Sequence, residues 1–258
     1  MFFYYSGTGN SYAAASVLGD CCALTDIMAC MDKGEFSFSL EEGESVGFAC
    51  PVCNGGIPKL AADFFRQIRF DRQPAYLYLV LTYSDHWGNA AVHFASLLSE
   101  AGLELDAFYA VPMPENNVIE HVILPEEERD AVYERAEELL KEIARRIDAK
   151  EKIPAFCEPG YKDAKAKYSA YLDMCHTSHF HVDDQCVSCG ICATRCPYHS
   201  IRLIDGVPTW IKDECTLCMG CMRCGAIHYD EATIGKKRYT HPLLKKGGHS
   251  QAGGHAHS

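Results

Sequence analysis

Eight cysteines gathered near the C-terminus restrict what this chain can fold into more than any other feature. Cys186, Cys189, Cys192 and Cys196 run into Pro197 and read C-x2-C-x2-C-x3-C-P, and Cys215, Cys218, Cys221 and Cys224 follow at intervals of two residues. Two intervening residues let successive thiolates curl around one inorganic centre. Paired CxxC units also build zinc ribbons. Eight thiolates within 39 residues, however, exceed what one tetrahedral ion uses. The spacing therefore points to iron–sulfur clusters, with zinc as the remaining alternative.

The first run resembles that of bacterial two-cluster ferredoxins. The resemblance implies two [4Fe-4S] clusters with crossed ligation, in which three cysteines of a run hold one cube and the fourth completes the other. Cys196 would then join Cys215, Cys218 and Cys221, and Cys224 would join Cys186, Cys189 and Cys192. The second run departs from the pattern: two residues rather than three precede Cys224, and Gly225 stands where proline is expected. In an α-helical stretch the missing residue swings Cys224 by about 100°, so the first cube is the one at stake. Cys175 or Cys157 as a substitute ligand, or a three-iron cluster, are the alternatives.

At 258 residues and 48% hydrophobic composition, the chain has room for one medium α/β domain and a small appendage. No apolar run reaches the ~18 residues of a membrane span, and Met1 leads directly into FFYY rather than a basic and then apolar leader. The expectation is a soluble cytoplasmic protein without a membrane partner, whose fifteen cysteines are ligands or free thiols rather than disulfides. Residues 1–150 carry 24 acidic against 11 basic side chains, net −13, and residues 151–258 carry 11 against 13, net +2. An acidic front half excludes a nucleic-acid footprint. It suits solubility or docking to a basic redox protein.

At the other end, a short aromatic strand (Met1 to Tyr5) enters Ser6-Gly7-Thr8-Gly9-Asn10-Ser11 and then the helix former YAAASVL. Strand, small polar turn and helix make an anion site, because the first helical amides have no partner in the helix. The turn has no lysine, unlike a nucleoside-triphosphate loop, and is not GxGxxG. YYSGTGNS is similar to the FMN-phosphate signature of flavodoxins. On that resemblance, the loop after SVGFACP, with Pro51, Asn54, Gly55 and Gly56, is the second flavin loop. The loop after AYLYLVLT, with Thr82, Tyr83, Ser84, His86, Trp87, Gly88 and Asn89, is the third, and Tyr83, His86 and Trp87 are candidates to cover a ring face. Cys21, Cys22 and Cys30 have no ligand spacing and are expected to be small buried residues. The Cys50/Cys53 pair is read as strand-end cysteines rather than a dithiol site.

Strands near 23–27, 45–51, 75–82 and 103–111, with helices near 59–67, 90–101 and 126–148, complete a flavodoxin-like doubly wound parallel sheet of five strands in the order 2-1-3-4-5. The domain plan is 1–150 for this FMN-binding unit, 151–179 for a linker with a helix at 161–174, and 180–240 for a small α+β ferredoxin-like domain. A hairpin at 201–210 lies between the cysteine runs, and 241–258 is a disordered His/Gly-rich tail.

Taken together, the chain resembles the flavodoxin-ferredoxin fusion proteins of anaerobic bacteria. That implies single electrons moving between the two clusters and FMN, with redox proteins as partners. The alternative is an FMN-dependent reductase of a quinone, nitro compound or similar small acceptor. No acid/base constellation for such a substrate is legible, so no catalytic residue is assigned.

Overall fold

The computed structural model describes residues 1–19 and 24–246; the expectations for Cys21, Cys22 and Ala23, and for the stretch from 247 onward, lie outside the described residues. The first part of the chain forms β1 (Phe2–Tyr4), α1 (Asn10–Leu18), β2 (Leu24–Asp26), α2 (Ile27–Lys33), β3 (Ser37–Phe38), β4 (Ser45–Pro51), α3 (Lys59–Gln67), β5 (Arg69–Phe70), β6 (Tyr76–Tyr83), α4 (Ala90–Glu100), β7 (Ala107–Pro112) and α5 (Glu126–Asp148). All pairings in the main sheet are parallel, in the order β2-β1-β4-β6-β7. Counted along the chain, these five strands run 2-1-3-4-5, which is the flavodoxin-like order. β3 and β5 pair separately over two residues.

The sheet is buried on both faces, and the two-residue period of β6 shows how. Leu77, Leu79 and Leu81 join the core with Phe48, Phe64, Phe65 and Phe94, while Tyr76, Tyr78 and Val80 join the other core with Ala14, Ala136, Leu140 and Ile143. Such strands read as continuous apolar runs because each side chain has a helix to meet. β2 ends earlier than its composition suggests: the Asp26 carboxylate accepts from Met28 N at 2.9 Å and caps α2, so Ile27 begins a helix. The fifth strand starts at Ala107 rather than Leu103, because Asp106 turns inward and accepts from Leu77 N at 2.9 Å.

The second part comprises α6 (Ala164–Met174), β8 (Phe180–Val182), α7 (Ile191–Thr194), β9 (Ile201–Ile204), β10 (Val207–Trp210), β11 (Ile227–Tyr229) and α8 (Pro242–Lys246). β9 and β10 form the expected hairpin around Asp205 and Gly206, whose φ values of 51° and 81° are those of a type I′ turn. β8 and β11 pair antiparallel and close the small unit. Its core includes Tyr171, Phe180, Met222 and Tyr229 together with Val118 and Ile119 from the segment after β7. The small unit is therefore packed on the large one.

Residues 241–246, which composition places in the tail, belong to the fold. His241 N donates to Thr8 O at 2.8 Å, and His241 and Leu244 lie against Gly9. Among the described residues no helix is long and apolar enough to cross a membrane.

Candidate functional site

The loops leaving β1, β4 and β6 at their carboxyl ends meet around a cavity of about 360 Å³, within the roughly 300 to 1,000 Å³ of ordinary small-molecule sites. It lies where the winding of the sheet reverses, the place such sheets bind ligands. Of the residues singled out from the sequence, Gly7, Asn10, Pro51, Asn54, Gly55, Thr82, Tyr83, Ser84 and His86 line it. Ser6, Thr8, Gly9, Ser11, Gly56, Trp87, Gly88 and Asn89 stand outside the lining. Several of these hold the loops together: Ser11 Oγ and Thr82 Oγ1 are 2.8 Å apart, and Asn89 N donates to Gly55 O at 2.9 Å. Trp87 packs edge-on against Tyr83 and Phe156. Tyr83 and His86 are thus the rings this loop offers.

Asn54 and Gly55, with φ of 44° and 74°, form a tight turn whose flanking Cys53 and Gly56 exchange both backbone hydrogen bonds at 2.9 Å. The bare face of Gly55 seats an aromatic side chain. An added Cβ would stand 2.3 Å from the Tyr161 hydroxyl. Glycines expected to admit a flavin from this side admit the connector instead, because Tyr168 fills the same role at Gly56. Tyr161 and Tyr171 consequently line the cavity, supplying aromatic walls that the second loop lacks. The i, i+7 and i+10 spacing of Tyr161, Tyr168 and Tyr171 was the signal for this. The connector is also clipped to the third loop, where Glu158 accepts from Gly88 N at 2.8 Å and faces His86 Nδ1 at 3.1 Å.

The polar side chains of the first turn are engaged within the protein. Ser6 Oγ accepts from Gly9 N at 3.1 Å, Thr8 Oγ1 accepts from Asn116 Nδ2 at 2.6 Å, and Asn10 donates to Pro114 O and accepts from Tyr239 Oη. Among the described residues the amides of Gly7, Thr8, Asn10 and Ser11 have no hydrogen-bond partner. Unpaired amides at a helix start, beside a cavity walled by rings, fit a flat aromatic group with an anionic tail. The outer side of the turn is covered. A Cβ on Gly7 would lie 1.9 Å from the carbonyl oxygen of Cys218.

That contact brings the second cysteine run to the cavity, and Thr216, Leu217, Cys218 and Met219 form its far wall. Thr216 is fixed from several sides: Leu60 N and Tyr5 Oη both reach its hydroxyl at 3.3 Å, and Tyr171 Oη donates to its carbonyl at 3.0 Å. Sequence reasoning missed this wall, because nothing local marks a cysteine-bearing loop as the lid of a distant crevice.

The thiols of the two runs are neighbours: Cys196 stands by Cys215, Cys218 and Cys221, and Cys186 and Cys224 stand by Cys192. Burial pushes the Cys215 thiol up to about 12 and Cys218 up to about 11, and Cys196 is among the neighbours that raise both. Burial also raises Cys221, with Cys218, Cys215, Cys196 and Cys192 adding to it. Cys192 is raised by burial and then by Cys224 and Cys186. Iron must displace those protons to bind. Amides point at two of the sulfurs, Ser200 N at Cys196 Sγ and Leu217 N at Cys215 Sγ, both at 3.3 Å, and hydrogen bonds of this kind tune the thiolate ligands of clusters. Among the described residues no three His, Cys, Asp or Glu side chains converge on a single ion.

The irregular spacing is met by a change of helix type. Cys221–Cys224 is a 3₁₀ turn ending at Gly225, φ 90°. Three 3₁₀ steps turn the chain by about 360°, against about 400° for the regular four α-helical steps, so the shortfall drops from about 100° to about 40°. Cys175 lies near Cys53 and Cys215, and exposed Cys157 bonds to Glu158 and Tyr161 carbonyls. Cys30 is buried, as expected, and Cys50 is buried near the end of β4.

The strap over the first turn makes stability depend on pH. Burial pulls His241 down to about 4, and its Nδ1 accepts from Leu243 N at 3.2 Å, a bond only the neutral ring can accept. The unfolded chain takes up this proton near 6.5, so the contribution is complete above that pH and is lost as pH falls toward 4. Melting temperature is expected to drop across that window, with a shallower slope in His241→Gln.

Residues 180–202 match the 4Fe-4S binding domain family. No curated protein matches the chain. Among solved structures, the Trp repressor binding protein from Bacillus subtilis is similar at 11% identity, over 54% of this chain and 96% of that one, with a TM-score of 0.32. A flavodoxin from Streptococcus pneumonia TIGR4 is similar at 15% identity, over 56% and 97%, with a TM-score of 0.31. The order and direction of its five sheet strands make the first part a flavodoxin-like α/β domain. Joined to it is a small unit whose residues 180–202 match the 4Fe-4S binding domain family.

Proposed function

We propose that the protein is an electron carrier that passes single electrons between two [4Fe-4S] clusters and FMN, serving redox proteins in the cytoplasm. The observation that carries this reading is Cys218: a ligand of the second run lines the same cavity as the flavin loops, with its carbonyl against Gly7. Bound FMN would supply a centre able to take one or two electrons, next to clusters that exchange one. The residues suited to hold it are the unpaired amides of Gly7, Thr8, Asn10 and Ser11 for its phosphate, and Tyr83, His86, Tyr161 and Tyr171 around its ring. A shared wall keeps donor and acceptor together without a diffusional encounter. Anaerobic reconstitution tests the reading: about eight iron and one FMN per chain are expected. Colourless protein holding zinc and no flavin would overturn it.

One observation favours the second reading, reduction of a small acceptor. A further cavity of about 340 Å³ shares Ser84, Asp85, Pro114, Glu115 and His121 with the first and adds Met113, Val122 and Leu124. Turnover with a quinone or nitro compound as sole oxidant, saturating in that acceptor, would distinguish an enzyme from a carrier.

A further inference from the structure

The 3₁₀ turn that presents Cys224 is a poor helix by itself, since its hydrogen bonds are strained and such turns stay short. It also lacks the proline that ends the regular motif, and in its place Gly225 adopts φ 90°. Something outside the run must hold it. Arg238, half-buried, donates from Nε to Met222 O at 3.2 Å, the carbonyl that also accepts Gly225 N at 3.1 Å. Its other nitrogens donate to Thr233 O at 2.8 Å, Lys236 O at 3.2 Å and Ile227 O at 3.0 Å. One guanidinium thus ties the turn to the start of β11.

The same side chain reaches the other end of the first cluster's ligand set. Arg238 Nη2 donates to His228 Nδ1 at 3.1 Å, which leaves His228 Nε2 to donate to Asp183 Oδ2 at 2.8 Å. Asp183 in turn accepts from Gln185 N at 3.0 Å through Oδ1 and from Cys186 N at 3.3 Å through its carbonyl. Arg223, inside the turn, adds a second tie through Nε to Thr240 Oγ1 at 3.1 Å. Cys186 opens the first run and Cys224 closes the second, and a single hydrogen-bonded chain sets the distance between them.

We infer that Arg238 is a positioning residue that brings Cys224 into place as the fourth ligand of the cluster held by Cys186, Cys189 and Cys192, offsetting the residue missing from the second run. The role rests on the two-cluster reading. It requires a planar fork with several donors; a lysine ammonium keeps the charge but cannot serve Met222, Ile227 and His228 together. Cys221 begins the same turn but precedes the Met222 carbonyl that Arg238 holds, and Cys196, Cys215 and Cys218 lie outside it, so their cluster is expected to survive and serves as the control.

The experiment uses the full chain reconstituted anaerobically, as wild type, Arg238→Ala, Arg238→Lys and Cys224→Ser, with iron and flavin counts and low-temperature EPR of the reduced protein. Both Arg238 variants are expected to lose the signal that Cys224→Ser loses, whether as about four of about eight irons or as conversion to a three-iron cluster, with flavin and the other signal retained. Full iron and both signals in Arg238→Ala would overturn the role. So would loss of both clusters together, which marks a general structural residue. Wild-type protein that itself binds only about four iron contradicts the two-cluster reading first, and this role with it.

Discussion

Alanine in place of Gly7 is expected to loosen the whole junction between the two parts of the molecule. The new Cβ would stand 1.9 Å from Cys218 O and 2.8 Å from Cys218 C, and backbone cannot rotate out of its way. Either the turn after β1 or the loop at 215–219 must shift, and Thr216 in that loop is held by Tyr5, Leu60 and Tyr171. Overpacking of this kind costs about 1–3 kcal/mol, at the upper end here because both partners are main chain. Denaturant unfolding of cofactor-free Gly7→Ala measures it. A glycine needed only for approach of a phosphate would leave the cofactor-free protein as stable as wild type and weaken flavin binding alone. Loss of stability before any flavin is added identifies the Cys218 contact as the reason for this residue.

Cys196→Ser is expected to remove the cluster of the other run. Cys196 lies in sequence with Cys186, Cys189 and Cys192, yet its thiol neighbours are Cys215, Cys218 and Cys221. The EPR signal lost in Cys196→Ser should match that lost in Cys215→Ser, and the signal lost in Cys186→Ser should match that of Cys224→Ser. Each variant should retain about half of the iron. If Cys196→Ser instead matched Cys186→Ser, each run would hold its own cube and the crossing would be wrong.

The parts of this fold legible in sequence are those set by local chemistry. Apolar runs such as AYLYLVLT gave the buried strands, and the α5 boundaries follow from acidic Glu126 to Glu128 at one end and Arg145 and Arg146 at the other. The Asp205-Gly206 pair marked its hairpin. What stayed illegible depends on contacts between distant segments. Gly7, Gly55 and Gly56 read as room for a ligand, but their bare faces are filled by Cys218, Tyr161 and Tyr168. The stretch at 241–246 reads as tail because Pro242 and two lysines carry no amphipathic pattern. It is ordered by His241 N on Thr8 O and by Leu244 against Gly9. The Cys224 spacing read as a defect of about 100° under α-helical geometry, and a 3₁₀ turn removes most of it. In each case the partner lies more than a hundred residues away or the helix type differs from the default.

The second cysteine run and the loops proposed to hold flavin share the walls of one cavity. That arrangement is tested most directly by flash photoreduction of the clusters in reconstituted protein, following flavin reduction at several protein concentrations. A shared wall requires a first-order transfer whose rate does not change with concentration. A rate that rises in proportion to protein concentration, or clusters that stay reduced beside an oxidised flavin, would contradict the account.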